Sequence, residues 1–128
     1  MFNLRKEQLK IFETVAAKEF EERALTQLRE QSPALCAALG EGALVEFVRY
    51  GTERAKSYGI IAEPDVGKYL NVMLKLGKDF DRNPRYPWAA RTLNDVGLGD
   101  PSARVNRLAA EALEALAATG AKGVGNQT

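Results

Sequence analysis

The five prolines of this 128-residue chain fall at positions 33, 64, 84, 87 and 101. Proline has no backbone N–H and a fixed φ, so it is excluded from helix interiors and tolerated in the first helical turn. Residues 1–32 contain neither proline nor glycine, which leaves room for one long helix. After that, Pro33, Pro64, Pro87 and Pro101 each stand where a helix can start. Gly40, Gly59 and Gly77 each stand where one can stop. The chain is thereby cut into segments of helical length joined by tight corners.

Hydrophobic periodicity fills these segments. From about Leu4 to Glu30, Leu9, Phe12, Ala16, Phe20, Ala24 and Leu28 recur at spacings of three and four. Leu4, Ile11 and Val15 lie on a neighbouring face of the same helix, with Leu25 at its edge. Ser32-Pro33 reads as N-cap and first turn of a short second helix that Gly40 ends. A third helix is expected over Glu41–Tyr58, with Leu44, Phe47, Val48, Gly51, Ala55 and Tyr58 inward. The fourth starts at Pro64, buries Val66, Tyr69, Leu70, Met73 and Leu74, and stops at Gly77. The fifth starts at Pro87 and ends near Asn94-Asp95. Val96-Gly97-Leu98-Gly99 is a turn, and Asp100-Pro101 opens a last helix to about Thr119. Its stripe is Val105, Leu108, Ala112, Leu113 and Leu116. No segment alternates with the period of two that a strand requires. The expectation is an all-α bundle of about five or six helices, forming one domain over residues 1–119, with a frayed tail at 120–128.

Eighteen basic and seventeen acidic residues leave a net charge of +1, against a nucleic-acid or membrane-surface binder. The N-terminal Met1-Phe2-Asn3-Leu4-Arg5-Lys6-Glu7 turns charged at once, so no signal peptide is expected, nor any membrane-spanning run. A single cysteine, Cys36, fits a reducing compartment, and a cytoplasmic protein is expected. The chain has no histidine, which removes the usual general base near neutral pH and every Ser-His-Asp or Cys-His arrangement.

The densest chemistry lies in Asp79-Phe80-Asp81-Arg82-Asn83-Pro84-Arg85-Tyr86-Pro87-Trp88. Asp79 and Asp81 are two carboxylates in a loop, a start for a divalent cation site but without the further oxygen ligands such a site needs. Asp is also a common turn residue, and pairing with Arg82, Arg85 or Arg91 accounts for both. Of the aromatics, Phe80 or Trp88 is expected to plug the core. Arg82, Arg85 and Tyr86 are expected at the surface, where Arg and Tyr are favoured interface anchors. Cys36 reads as a small buried hydrophobe rather than a reactive thiol. Lys75 and Lys78 read either as anion binders or as solvated lysines at a helix C-terminus. Leu4, Ile11 and Val15 form a seam that either the last helix covers or a homodimer or partner uses.

The pattern YGI..E.DV..YL.VML.LG.DFDR.P..PWA from Tyr58 to Ala89, continued by Leu93, Asp100-Pro101, Arg104 and Leu108, resembles a family of small helical proteins associated with bacterial type VI secretion. Members of that family accompany PAAR-tip proteins, effector chaperones and toxins. The resemblance implies a non-enzymatic adaptor or co-chaperone that binds an effector chaperone or effector before loading, without catalytic residue, metal or cofactor. The expected partner-binding residues are Leu4, Ile11, Val15, Asp81, Arg82, Arg85 and Tyr86. Two alternatives are an immunity-type inhibitor presenting the acidic loop to a toxin, and a metal-dependent enzyme using Asp79 and Asp81.

Overall fold

The computed structural model describes residues 6–119, with side chains for residues 15–118. Leu4 and the expected tail at 120–128 lie outside the described residues, as does the side chain of Ile11. Six α-helices follow in order: α1 (Lys6–Gln31), α2 (Pro33–Leu39), α3 (Glu41–Ser57), α4 (Glu63–Leu76), α5 (Pro87–Leu93) and α6 (Pro101–Thr119). Short 3-10 turns at Phe80–Arg82 and Val96–Leu98 precede α5 and α6. The described residues contain no strand. No helix among them is long and apolar enough to cross a membrane.

The proline and glycine corners act as the sequence implies. Proline occupies the first turn of α2, α4 and α5. Gly77 adopts φ +114 after α4 and returns its N–H to the Met73 carbonyl, a conformation that costs a Cβ-bearing residue dearly. Asp100 caps α6, its Oδ1 accepting from the Ala103 N–H at 3.0 Å. Ser32 departs from expectation. It holds the cap position of α2, but its hydroxyl makes no cap hydrogen bond.

The chain's contacts divide into two units, Met1–Arg49 and Tyr50–Thr128. In the first, α2 packs back on α1, and Ala24, Leu25, Leu28, Cys36, Leu44 and Val48 are buried. Ala16, expected on the buried stripe of α1, is exposed, and Val15 is 50% exposed. Two ion pairs brace this unit at its surface: Arg29 with Glu41 at 2.6 Å and Arg49 with Glu21 at 2.8 Å.

In the second unit, α4 and α5 both pack on α6. Tyr69, Leu70, Met73, Phe80, Leu93, Val105 and Leu108 are fully buried, each contributing about 1.5–3 kcal/mol of apolar burial. Phe80 is the core plug of the 79–88 segment, its ring 5.3 Å from that of Tyr69. Gly51 on α3 lets Leu70 and Met73 approach the backbone. A Cβ there would stand 2.7 Å from Met73 Cε and closer still to Leu70 Cδ2. Asp65 and Thr92 are buried with partners. The Ser102 hydroxyl donates to Asp65, and the Thr92 hydroxyl donates to Glu111 at 2.5 Å. Arg104 of α6 donates to the Tyr58 carbonyl at 3.1 Å and the Leu93 carbonyl at 2.6 Å, satisfying acceptors at the ends of α3 and α5. Leu113, expected in the buried stripe of α6, is instead 62% exposed.

Candidate functional site

The sequence pointed to the loop between α4 and α5, and the structure divides that loop into an inward and an outward half. Gly77 ends α4 and the chain enters the 3-10 turn, which inserts Phe80 and Asp81 together and leaves Asp79 and Arg82 outside. Because Asp79 and Asp81 fall on opposite sides of this turn, they form no paired-carboxylate site.

Asp81 is the inward member, with its side chain fully buried. Its Oδ2 accepts from the Arg54 guanidinium and from the Tyr58 hydroxyl, the latter at 2.6 Å. The hydrogen bond to Asp81 holds Arg54 charged more firmly than usual. Burial first, and Asp81 second, push the Tyr58 hydroxyl up to about 12. The expected partners of Asp81 were Arg82, Arg85 or Arg91. Its ion-pair partner is instead Arg54 of α3. Asp81 was also expected among the partner-binding residues, but its carboxylate is buried and paired with Arg54 rather than presented at the surface.

Asp79 is exposed and accepts from the Tyr50 hydroxyl at 2.5 Å. That hydrogen bond holds its carboxyl below the ordinary range, and Arg82 at 4.0 Å adds to the effect. Lys78 places its ammonium 4.7 Å from the centre of the Tyr50 ring. Tyr50 and Arg54 of α3 and Tyr58 just after it therefore form a ladder at four-residue spacing that grips the loop. This ladder escaped the sequence reading, although its spacing was the available signal. Among the described residues, no group of three or more Asp, Glu, Cys or His converges as metal ligands would.

The outward half is different. Arg82 and Arg85 are exposed, and Tyr86 is half-buried. Tyr86 and Trp88 meet edge to face at 5.8 Å. With Arg85, Leu76, Ala115, Leu116 and Ala118 they line a depression of about 340 Å³ between the loop and the C-terminal half of α6. Arg85 and Tyr86, two of the expected surface residues, are thus brought together, and Trp88 joins them. Arg82 lies on the Tyr50–Asp79 side instead, 3.5 Å from the Tyr50 hydroxyl.

In the first unit, Cys36 is buried, and a depression of about 380 Å³ lined by Arg29, Pro33, Cys36 and Glu41 opens beside it. Burial pushes the thiol up, with Arg29 opposing in part, so it resists forming the nucleophilic thiolate. Of the expected seam on α1, only Val15 can be placed, and it is exposed. No family model matches the chain, nor does any curated protein or any solved structure.

Proposed function

We propose that this chain is a non-enzymatic helical adaptor, a cytoplasmic co-chaperone that binds an effector chaperone or effector for type VI secretion. The secretion context rests on the sequence resemblance of Tyr58–Ala89. The adaptor role is supported by one observation, the convergence of Arg85, Tyr86 and Trp88 around an open depression. Arg, Tyr and Trp combine large contact area with few rotatable bonds, and they dominate binding energy in protein interfaces. The two alternatives both drew on Asp79 and Asp81 as an exposed acidic pair. With Asp81 buried against Arg54, that acidic feature is not on offer to a toxin or a metal ion.

Affinity purification of the full chain, from cells carrying the neighbouring secretion genes, tests this reading. A chaperone or effector encoded there is expected to co-purify and to be lost with Arg85→Glu. If neither co-purifies under mild conditions, the adaptor role fails. Sedimentation of the chain alone and with that partner gives the stoichiometry and reports whether a homodimer forms.

A further inference from the structure

We infer that a water molecule is built into the core of the second unit, held by Asp81, Arg54 and Tyr69 where the loop meets α3 and α4. The Arg54–Asp81 pair uses only part of its bonding capacity. Both the Arg54 guanidinium and the Tyr58 hydroxyl donate to Asp81 Oδ2. The contact is therefore one-pronged, unlike the two-pronged fork that arginine and carboxylate commonly make. Asp81 Oδ1 and Arg54 Nε are each enclosed without a hydrogen-bond partner in the protein, and so is the Tyr69 hydroxyl. Native proteins rarely leave such groups unpaired, because burial removes their solvent and only another polar group can replace it.

The three groups belong to one cluster. Arg54 Nε and Asp81 Oδ1 sit on the two members of a single ion pair. The Tyr69 ring packs against Phe80 at 5.3 Å and Tyr58 at 6.4 Å, the first adjoining Asp81 in the chain and the second bonded to it. Burial first, and the Asp81 carboxylate second, hold the Tyr69 hydroxyl well above the ordinary tyrosine range, while Arg54 opposes. Helix α3 thus supplies a donor, the 3-10 turn an acceptor, and α4 a hydroxyl that can act as either.

The chemistry selects water. Asp81 Oδ1 needs a donor and Arg54 Nε an acceptor, so the occupant must be both. An anion would face the Asp81 carboxylate. A metal ion would face the Arg54 charge with one carboxylate to hold it, and among the described residues no metal-ligand group converges. The opposite charges of the pair suit a neutral molecule. The Asp81 side chain and Tyr69 are both without exposure, which gives a larger polar molecule no access from their side. A buried water makes about three hydrogen bonds, and three partners stand here. Donating to Asp81 Oδ1 and accepting from Arg54 Nε, it keeps a bond for the Tyr69 hydroxyl. Arg54 and Tyr58 already tie the loop to the α3 side, and the water adds α4.

Two measurements on the full chain test this. A crystal structure is expected to show an ordered water within about 3.2 Å of Asp81 Oδ1, Arg54 Nε and the Tyr69 hydroxyl. Oxygen-17 relaxation dispersion counts waters that stay bound longer than the protein takes to tumble. The parent is expected to hold one more such water than the double variant Arg54→Met with Asp81→Leu, whose fold circular dichroism checks. Tyr69→Phe keeps the ring and removes one of the three bonds, so the water is expected to leave about tenfold faster. No density at this place overturns the inference. So does a direct bond from Asp81 Oδ1 to Arg54 Nε or to the Tyr69 hydroxyl, or an equal count of long-lived waters in parent and double variant. Should the double variant fail to fold, the crystal structure of the parent decides alone.

Discussion

Replacing Arg54 with methionine strands the Asp81 carboxylate. The Asp81 side chain has no exposure to solvent, and that of Arg54 is 23% exposed. Breaking a buried ion pair by removing one partner costs about 3–5 kcal/mol, because the remaining charge stays desolvated. Tyr58 still donates one hydrogen bond to Asp81 and water reaches the rim at Arg54, so the lower end, about 3 kcal/mol, applies. Against a total stability of about 5–15 kcal/mol this is a large fraction. For a chain of this size it lowers Tm by about 12 °C. Asp81→Leu costs less, about 1–2 kcal/mol, because the freed guanidinium turns outward to water. The double variant removes both charges and is expected to lie within about 1 kcal/mol of the parent, since an apolar pair of similar volume often replaces a buried ion pair without loss. Urea titrations followed by Trp88 emission measure the unit that contains all three residues. If Arg54→Met lies within about 1 kcal/mol of the parent, or if the two single losses simply add in the double variant, Arg54 and Asp81 are not coupled as a buried ion pair.

Gly51→Val drives two methyl groups toward Leu70 and Met73, both fully buried, and is expected to destabilise by about 2 kcal/mol in the same urea titration; stabilisation would refute the close approach. Asp100→Ala removes the cap of α6 and is expected to cost about 1 kcal/mol by thermal denaturation, with Asp100→Asn near the parent. The Tyr58 hydroxyl has a raised folded pKa, so its contribution is complete below the ordinary tyrosine value near 10 and is lost as pH rises through about 12. Tyr58→Phe is expected to flatten that alkaline loss of stability, and absorbance at the tyrosinate band identifies the missing ionisation. In Tyr50→Phe the Asp79 carboxyl is expected to titrate higher, toward its ordinary range, as carbon-detected NMR would follow.

The helical architecture was legible because proline and glycine act locally. Pro33, Pro64, Pro87 and Pro101 each fall in a first helical turn, and Gly77 takes the positive φ that ends α4. The inward stripe of α4 followed from its period, since Val66, Tyr69, Leu70 and Met73 depend only on helix phase. What escaped depended on which element covers which face. Leu113 shares the apolar phase of α6 but stands 62% exposed, and periodicity cannot report whether another element covers a face. Arg54 looks like an ordinary solvated cation in sequence, and its partner lies 27 residues away across a turn whose direction no local pattern states. Arg82 and Arg85 were expected at the surface and are exposed, whereas Tyr86, expected there too, is half-buried, and the grouping of Arg85 and Tyr86 with Leu116 required knowing where α6 runs.

Arg104 carries a consequence for motion. One guanidinium nitrogen bonds the carbonyls that close α3 and α5, so neither helix end can fray without leaving the other with a half-used donor. The last amides of both helices should then exchange with solvent in a shared opening event rather than independently.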